Sequence, residues 1–219
     1  MKLGIRALEN PKDSITLRDP LNLIITGVGG QGNVLASQVL GRAAIHRGFR
    51  VTIGETFGLS QRGGAVMSHI RISNDRNYGP IIPPNMAHII IGLEPLETLR
   101  ILMEYGNEET IFIVNSRPIY PLNVIAGDVE YPDPEEIRAV LAEASKRLFW
   151  LEATKMALQL GGPIMLNMIM LGALCELASF PIGREDVKDV LKDIFPESKL
   201  ELNWRALDIG GGLIHSDEG

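Results

Sequence analysis

The sequence holds a single cysteine, Cys175, in 219 residues. A lone thiol cannot close an internal disulfide, nor can it supply the cysteine sets that hold zinc or an iron–sulfur cluster. A reducing, cytoplasmic setting is the expectation. Basic stretches are also missing: the formal charge is −6. Without a cationic face the chain has no means of displacing counterions from nucleic acid or gripping an anionic membrane surface. Long apolar runs are absent as well. The longest, residues 163–174, falls short of the roughly 20 residues a bilayer span requires and reads as a buried core helix. No basic segment followed by an apolar one opens the chain, so no signal peptide is expected. What is present is an ordinary globular composition, 45% hydrophobic and 22% charged, in a length sufficient for one large core.

Residues 1–20 mix charges, carry Pro11 and Pro20 and show no sustained periodicity; they read as an N-terminal arm. From Leu21 the pattern changes. Leu23, Ile24 and Ile25 form a short apolar run that stops at a glycine cluster, as a buried strand does. Residues 33–47 place Val34, Leu35, Val39, Leu40 and Ala43 on one helical face, Gly48 stops that helix, and residues 50–53 resume as a strand. This succession predicts the opening unit of a parallel α/β sheet. Strands are expected at residues 65–73, 88–92, 110–114 and 149–151, with Ile81 and Ile82 pairing back as a hairpin. Helices are expected at residues 94–105, where Glu94 can cap the N-terminus, and at 134–146, 164–180, 184–195 and 198–207. The triplet Gly210, Gly211 and Gly212 should end the last helix, leaving residues 213–219 as a tail. The expected fold is therefore α/β and Rossmann-like: a mostly parallel sheet with helices on both faces and a helical C-terminal portion, forming one domain over residues 21–212.

Two glycine-rich segments carry chemistry. In the first, Gly27, Gly29 and Gly32 of GVGGQG match the G-x-G-x-x-G spacing between a strand and a helix. Glycine there permits a tight turn and close ligand approach, and the free amides of the helix N-terminus favour an anion. Glu55 follows at about the distance of the acid that binds a ribose hydroxyl in dinucleotide sites. A stand-alone NAD-binding Rossmann oxidoreductase is one reading, a coenzyme-binding regulatory module another, and glycines that serve only strand–helix packing a third. The second segment, GETFGLSQRGG, is much rarer. Gly58, Gly63 and Gly64 open backbone shapes closed to other residues, while Ser60, Gln61 and Arg62 bring hydrogen-bonding heads. Arg62 suits a phosphate or carboxylate, or an ion pair across a subunit join.

Together with AVMSHIRIS, IIIGLEPLETLR and NMIMLGAL, these segments resemble the gamma-type domain of the pyruvate/2-oxoacid:ferredoxin oxidoreductase family, with most similarity to its indolepyruvate branch. The resemblance spans residues 21–212. His88 departs from it, since an aspartate often stands there in the family.

The resemblance implies an enzyme complex that converts a 2-oxoacid and coenzyme A to acyl-CoA and carbon dioxide while reducing ferredoxin. This chain would be its non-thiamine subunit. Thiamine diphosphate, Mg and [4Fe-4S] clusters would sit in a larger alpha subunit, consistent with one cysteine and no thiamine-binding motif here. Coenzyme A phosphates would lie near Gly27, Gly29, Gly30, Gln31 and Gly32, and Ser60, Gln61, Arg62, Gly63 and Gly64 would face ligand or partner. No catalytic side chain is expected in this chain. The aryl pyruvate substrate follows from the branch alone, and with aromatic content at 5% the pocket that reads the aryl group is expected to involve the partner. Bland roles are expected for His46, His69 and Cys175, and Met165, Met168 and Met170 should fill core gaps.

Overall fold

The computed structural model describes residues 18–57 and 65–217. Six strands form one sheet in the order β2-β3-β1-β4-β5-β6. They are β1 (Leu21–Val28), β2 (Arg50–Phe57), β3 (Ala65–Ser73), β4 (Ile89–Gly92), β5 (Ile111–Asn115) and β6 (Arg147–Leu151). β1, β4, β5 and β6 pair in parallel, whereas β3 is antiparallel to both β1 and β2. The fold is thus mixed α/β with a mostly parallel strand direction. One expectation is corrected: β1 and β2 run the same way but do not pair, because β3 folds back between them.

The period-2 rule divides the core. Leu23 and Ile25 of β1 face one layer, formed by α1 (Asn33–His46), α5 (Ala153–Leu160), α6 (Leu166–Leu174), α7 (Arg184–Ile194) and α8 (Glu197–Asp217). Ile24 faces the other, under α2 (Pro95–Tyr105) and α4 (Pro134–Glu143). A short α3 (Leu122–Ile125) lies between β5 and α4. β1 and β4 are buried at every position, which is why they read as unbroken apolar runs.

Three further expectations are corrected. Ile81 and Ile82 form no strand; the segment crosses the sheet face, with Ile82 fully buried and Arg71 bonded to the carbonyls of Gly79 and Ile81 at 3.1 and 3.3 Å. Residues 164–180 are not one helix, since a 3₁₀ turn, Pro163–Met165, precedes α6 and α6 ends at Leu174. The glycine triplet does not end α8, which runs on through it to Asp217. Helix α5 escaped the sequence reading altogether, being only 8 residues long and directly attached to β6. Met165, Met168 and Met170 are buried in the core as expected, and the Cys175 thiol, desolvated there, is pushed up to about 12.

His69 and His88 are packed into the structure. His69 is fully buried edge-on to Tyr105, and His46 is exposed at the end of α1. His88 accepts a hydrogen bond at Nδ1 from the Asn22 amide at 3.0 Å. Burial, with a smaller contribution from Arg18, lowers its pKa from 6.5 to about 4. The folded state therefore binds fewer protons than the unfolded chain between these values. This contribution to stability is full above pH 6.5 and is lost as pH falls toward 4. His88→Gln, which keeps an acceptor, should reduce the stability lost between pH 7.5 and pH 4.5 by about 2 kcal/mol relative to the parent. Denaturant midpoints at the two pH values measure it, and parallel losses in both proteins would refute it.

Candidate functional site

The chain leaves β1 through α1 over one face and leaves β4 through α2 over the other. Because β1 and β4 are parallel neighbours, their outgoing segments diverge and open a crevice at the carboxyl ends of the strands, where ligands bind in open α/β sheets. The first glycine motif lines that crevice. Gly30 and Gly32 hold φ of 98° and 86°, in the left-handed region that favours glycine. A Cβ on Gly32 would also lie 2.4 Å from Asn167 Nδ2, and one on Gly27 would lie 2.4 Å from Gln31 Oε1. Gly27 and Gly32 therefore serve close packing. Gly29 and Gly30 face the open side, with nothing within 4 Å of a Cβ built on Gly30.

Gln31 folds back on the strand ends. Its Oε1 accepts from the Val28 amide and its Nε2 donates to the Leu93 carbonyl, both at 2.8 Å. The Leu93 carbonyl also accepts from Asn115 Nδ2 at 3.1 Å, and Asn115 Oδ1 accepts from the Thr154 amide and hydroxyl at 2.9 and 3.0 Å. One belt of side-chain amides thus ties the ends of β1, β4 and β5 to the first turn of α5. Beside it, Glu94 caps α2 as expected, accepting the Glu97 amide at 2.9 Å.

Two neighbouring cavities open onto this belt. The larger, about 740 Å³, is lined by Gly29, Gly30, Gln31, residues 117–120 and the apolar side chains of Ile125, Leu158 and Ile164. The second, about 430 Å³, continues past Asn115, Ser116 and Lys155. Arg117, Thr154 and Leu158 belong to both. Lys155 is paired with Glu152 at 2.7 Å, whereas Arg117 is exposed and makes no ion pair with the described residues. An exposed arginine, a glycine turn at a helix N-terminus and an apolar wall suit an elongated ligand with an anionic group.

The ribose role for Glu55 is corrected. With β3 between β1 and β2, Glu55 stands two strands from the glycine loop, about 9–10 Å by strand spacing. Its carboxylate accepts from Ser37 Oγ at 2.8 Å and Ser68 Oγ at 2.6 Å. Ser60, Gln61, Arg62, Gly63 and Gly64 lie outside the described residues. Of the described residues next to them, Phe57 at the end of β2 pairs with Val66, and Ala65 at the start of β3 pairs with Val28. Among the described residues no group of His, Cys, Asp or Glu could hold a metal ion, and no helix is long and apolar enough to cross a membrane. Sequence reasoning missed Asn115, Arg117 and Thr154, which lie in or beside loops with no motif to mark them.

Known proteins resemble this chain in sequence and in fold. Residues 22–212 match the family described as pyruvate ferredoxin/flavodoxin oxidoreductase. The chain is 37% identical to the indolepyruvate oxidoreductase subunit IorB of Pyrococcus horikoshii, covering 86% of this chain and 93% of that one. It is 36% identical to the subunit of the same name in Archaeoglobus fulgidus, covering 87% and 93%. The fold superposes with a TM-score of 0.71 on the 2-oxoglutarate:ferredoxin oxidoreductase of Magnetococcus marinus, whose structure holds 2-oxoglutarate, coenzyme A and succinyl-CoA. At 23% identity that likeness covers 91% of this chain but 32% of the other. The gamma subunit of a Geobacter sulfurreducens keto/oxoacid ferredoxin oxidoreductase superposes at 0.65 and 20% identity, covering 91% and 99%.

Proposed function

The chain belongs to the pyruvate ferredoxin/flavodoxin oxidoreductase family, and from that premise we propose that it is the non-thiamine subunit of a cytoplasmic, ferredoxin-dependent oxidoreductase for indolepyruvate and related aryl pyruvates. In the overall reaction the bond between the carboxylate and the keto carbon breaks to release carbon dioxide. A thioester bond to coenzyme A forms, the thiol proton is released, and two electrons pass to ferredoxin. Thiamine diphosphate with Mg and the [4Fe-4S] clusters supply the carbanion and electron chemistry in the alpha subunit. With one cysteine, this chain has no ligand set for a cluster.

Its own residues bind and orient coenzyme A. The observation that carries this reading is the coincidence of the 740 Å³ cavity with the glycine loop. The coenzyme's phosphates would meet Arg117 and the first amides of α1, where the helix dipole is positive. Its pantetheine arm would lie on Ile119, Tyr120, Leu158 and Ile164. The loop Ser60 to Gly64 would complete the site or meet the alpha subunit. In the assembled complex, Arg117→Ala should raise KM for coenzyme A about 10- to 100-fold, the worth of a charge-assisted bond to phosphate. Steady-state kinetics with varied coenzyme A measures this, and an unchanged KM would place the coenzyme elsewhere.

A further inference from the structure

We propose that Glu94 and Tyr131 are positioning residues that hold the outer wall of the large cavity and thereby set its affinity, a role that rests on reading the cavity as the coenzyme A site. Neither residue lines the cavity. The wall, residues 117–120, leaves β5 just after Ser116, whose amide is bonded to the Leu151 carbonyl at 2.8 Å. Two attachments then hold it. The Ile119 amide donates to Glu94 Oε1 at 3.3 Å, and the Tyr120 ring stands edge-on to Tyr131 with centroids 5.2 Å apart. Tyr131 is itself fixed by Glu94: its hydroxyl donates a short hydrogen bond to Glu94 Oε1 and accepts from the Leu96 amide at 3.2 Å. Both attachments of the wall therefore run back to one carboxylate.

The chemistry of that carboxylate is specific. Glu94 is 1% exposed and receives three donors: the Glu97 amide on Oε2, and the Ile119 amide and Tyr131 hydroxyl on Oε1. A glutamine has one acceptor oxygen and one amino group. Facing Glu97 with its amino group leaves two N–H donors opposed and loosens the helix cap. Facing the wall with it releases Ile119. Only an acid satisfies both ends. Burial and the adjacent Glu94 carboxylate raise the Tyr131 pKa, so the phenol remains a donor throughout the physiological range.

The test uses the assembled complex and four variants: Glu94→Gln, Tyr131→Phe, Arg117→Ala and, as a control far from the site, Met103→Ala on exposed α2 surface. Glu94→Gln and Tyr131→Phe should each raise KM for coenzyme A five- to tenfold while kcat at saturating coenzyme stays within twofold. Tm should fall by only a few degrees, and Met103→Ala should match the parent. A residue that merely supports the fold would instead lower Tm and kcat together with KM unchanged, and that result overturns the proposal. If Arg117→Ala raises KM but both Glu94→Gln and Tyr131→Phe leave it within twofold, the positioning role is wrong and the coenzyme site stands. If none of the three moves KM, the coenzyme reading fails and the positioning role fails with it.

Discussion

Gly210→Ala is expected to destabilise the protein by about 3 kcal/mol, although alanine is ordinarily the better helix former by about 1 kcal/mol. The reason is the contact between α6 and α8. A Cβ on Gly210 would stand 1.8 Å from the Ile169 carbonyl oxygen, and one on Gly172 would stand 2.0 Å from the Leu207 carbonyl oxygen. The obstacles are backbone atoms within regular helices, which cannot rotate aside. The helices must separate instead, opening a core that includes Ile169, Leu171, Leu174 and Leu207. At this chain length the loss corresponds to a fall in Tm of roughly 6–12 °C. Gly212, two residues on in the same helix, is exposed with nothing within 4 Å of its Cβ position, so Gly212→Ala should raise Tm by roughly 2–4 °C. Calorimetry of the two variants tests the pair. Equal rises in Tm would show that helix propensity, and not close packing, governs this segment, and a fall for Gly212→Ala would refute the propensity gain expected there.

Asn115→Leu should cost about 4 kcal/mol, a large share of a typical domain's stability. The side chain is 1% exposed and makes three hydrogen bonds, one donated to the Leu93 carbonyl and two accepted from Thr154. Leucine has similar bulk but leaves the Thr154 amide and hydroxyl without partners, each costing about 1–3 kcal/mol when buried. The Leu93 carbonyl keeps Gln31, which limits the damage on that side. Thr154 and Leu158 line the cavity, so a shifted α5 should also weaken ligand binding. Denaturant unfolding measures the stability loss. A cost below about 1 kcal/mol would mean that the strand ends hold their positions without the belt.

Several local sequence signals point away from the observed structure for physical reasons. Gly210, Gly211 and Gly212 predict a helix stop because isolated glycine weakens a helix. Here the absent side chains are what let two helices meet, a gain available only when the partner helix is in place. Glu55 lay at the right sequence distance for a ribose ligand, yet sequence distance does not reveal that β3 returns between β1 and β2. Ile81 and Ile82 looked like a strand because buried loop and buried strand share an apolar signature.

By itself the sequence determined the family, the order of most elements and the absence of a cluster-binding cysteine set, since these follow from local periodicity, residue chemistry and the pairing of two rare glycine segments. The crevice between β1 and β4, the belt through Gln31 and Asn115, the placing of Arg117 on the cavity and the latch at Glu94 were decided by tertiary structure alone. Each depends on residues tens of positions apart meeting near the carboxyl ends of the strands: Gln31 with Leu93, Glu94 with Tyr131, Asn115 with Thr154. Single asparagine, glutamate and tyrosine residues carry no periodicity and no motif, so their roles exist only once the strand order has brought them together.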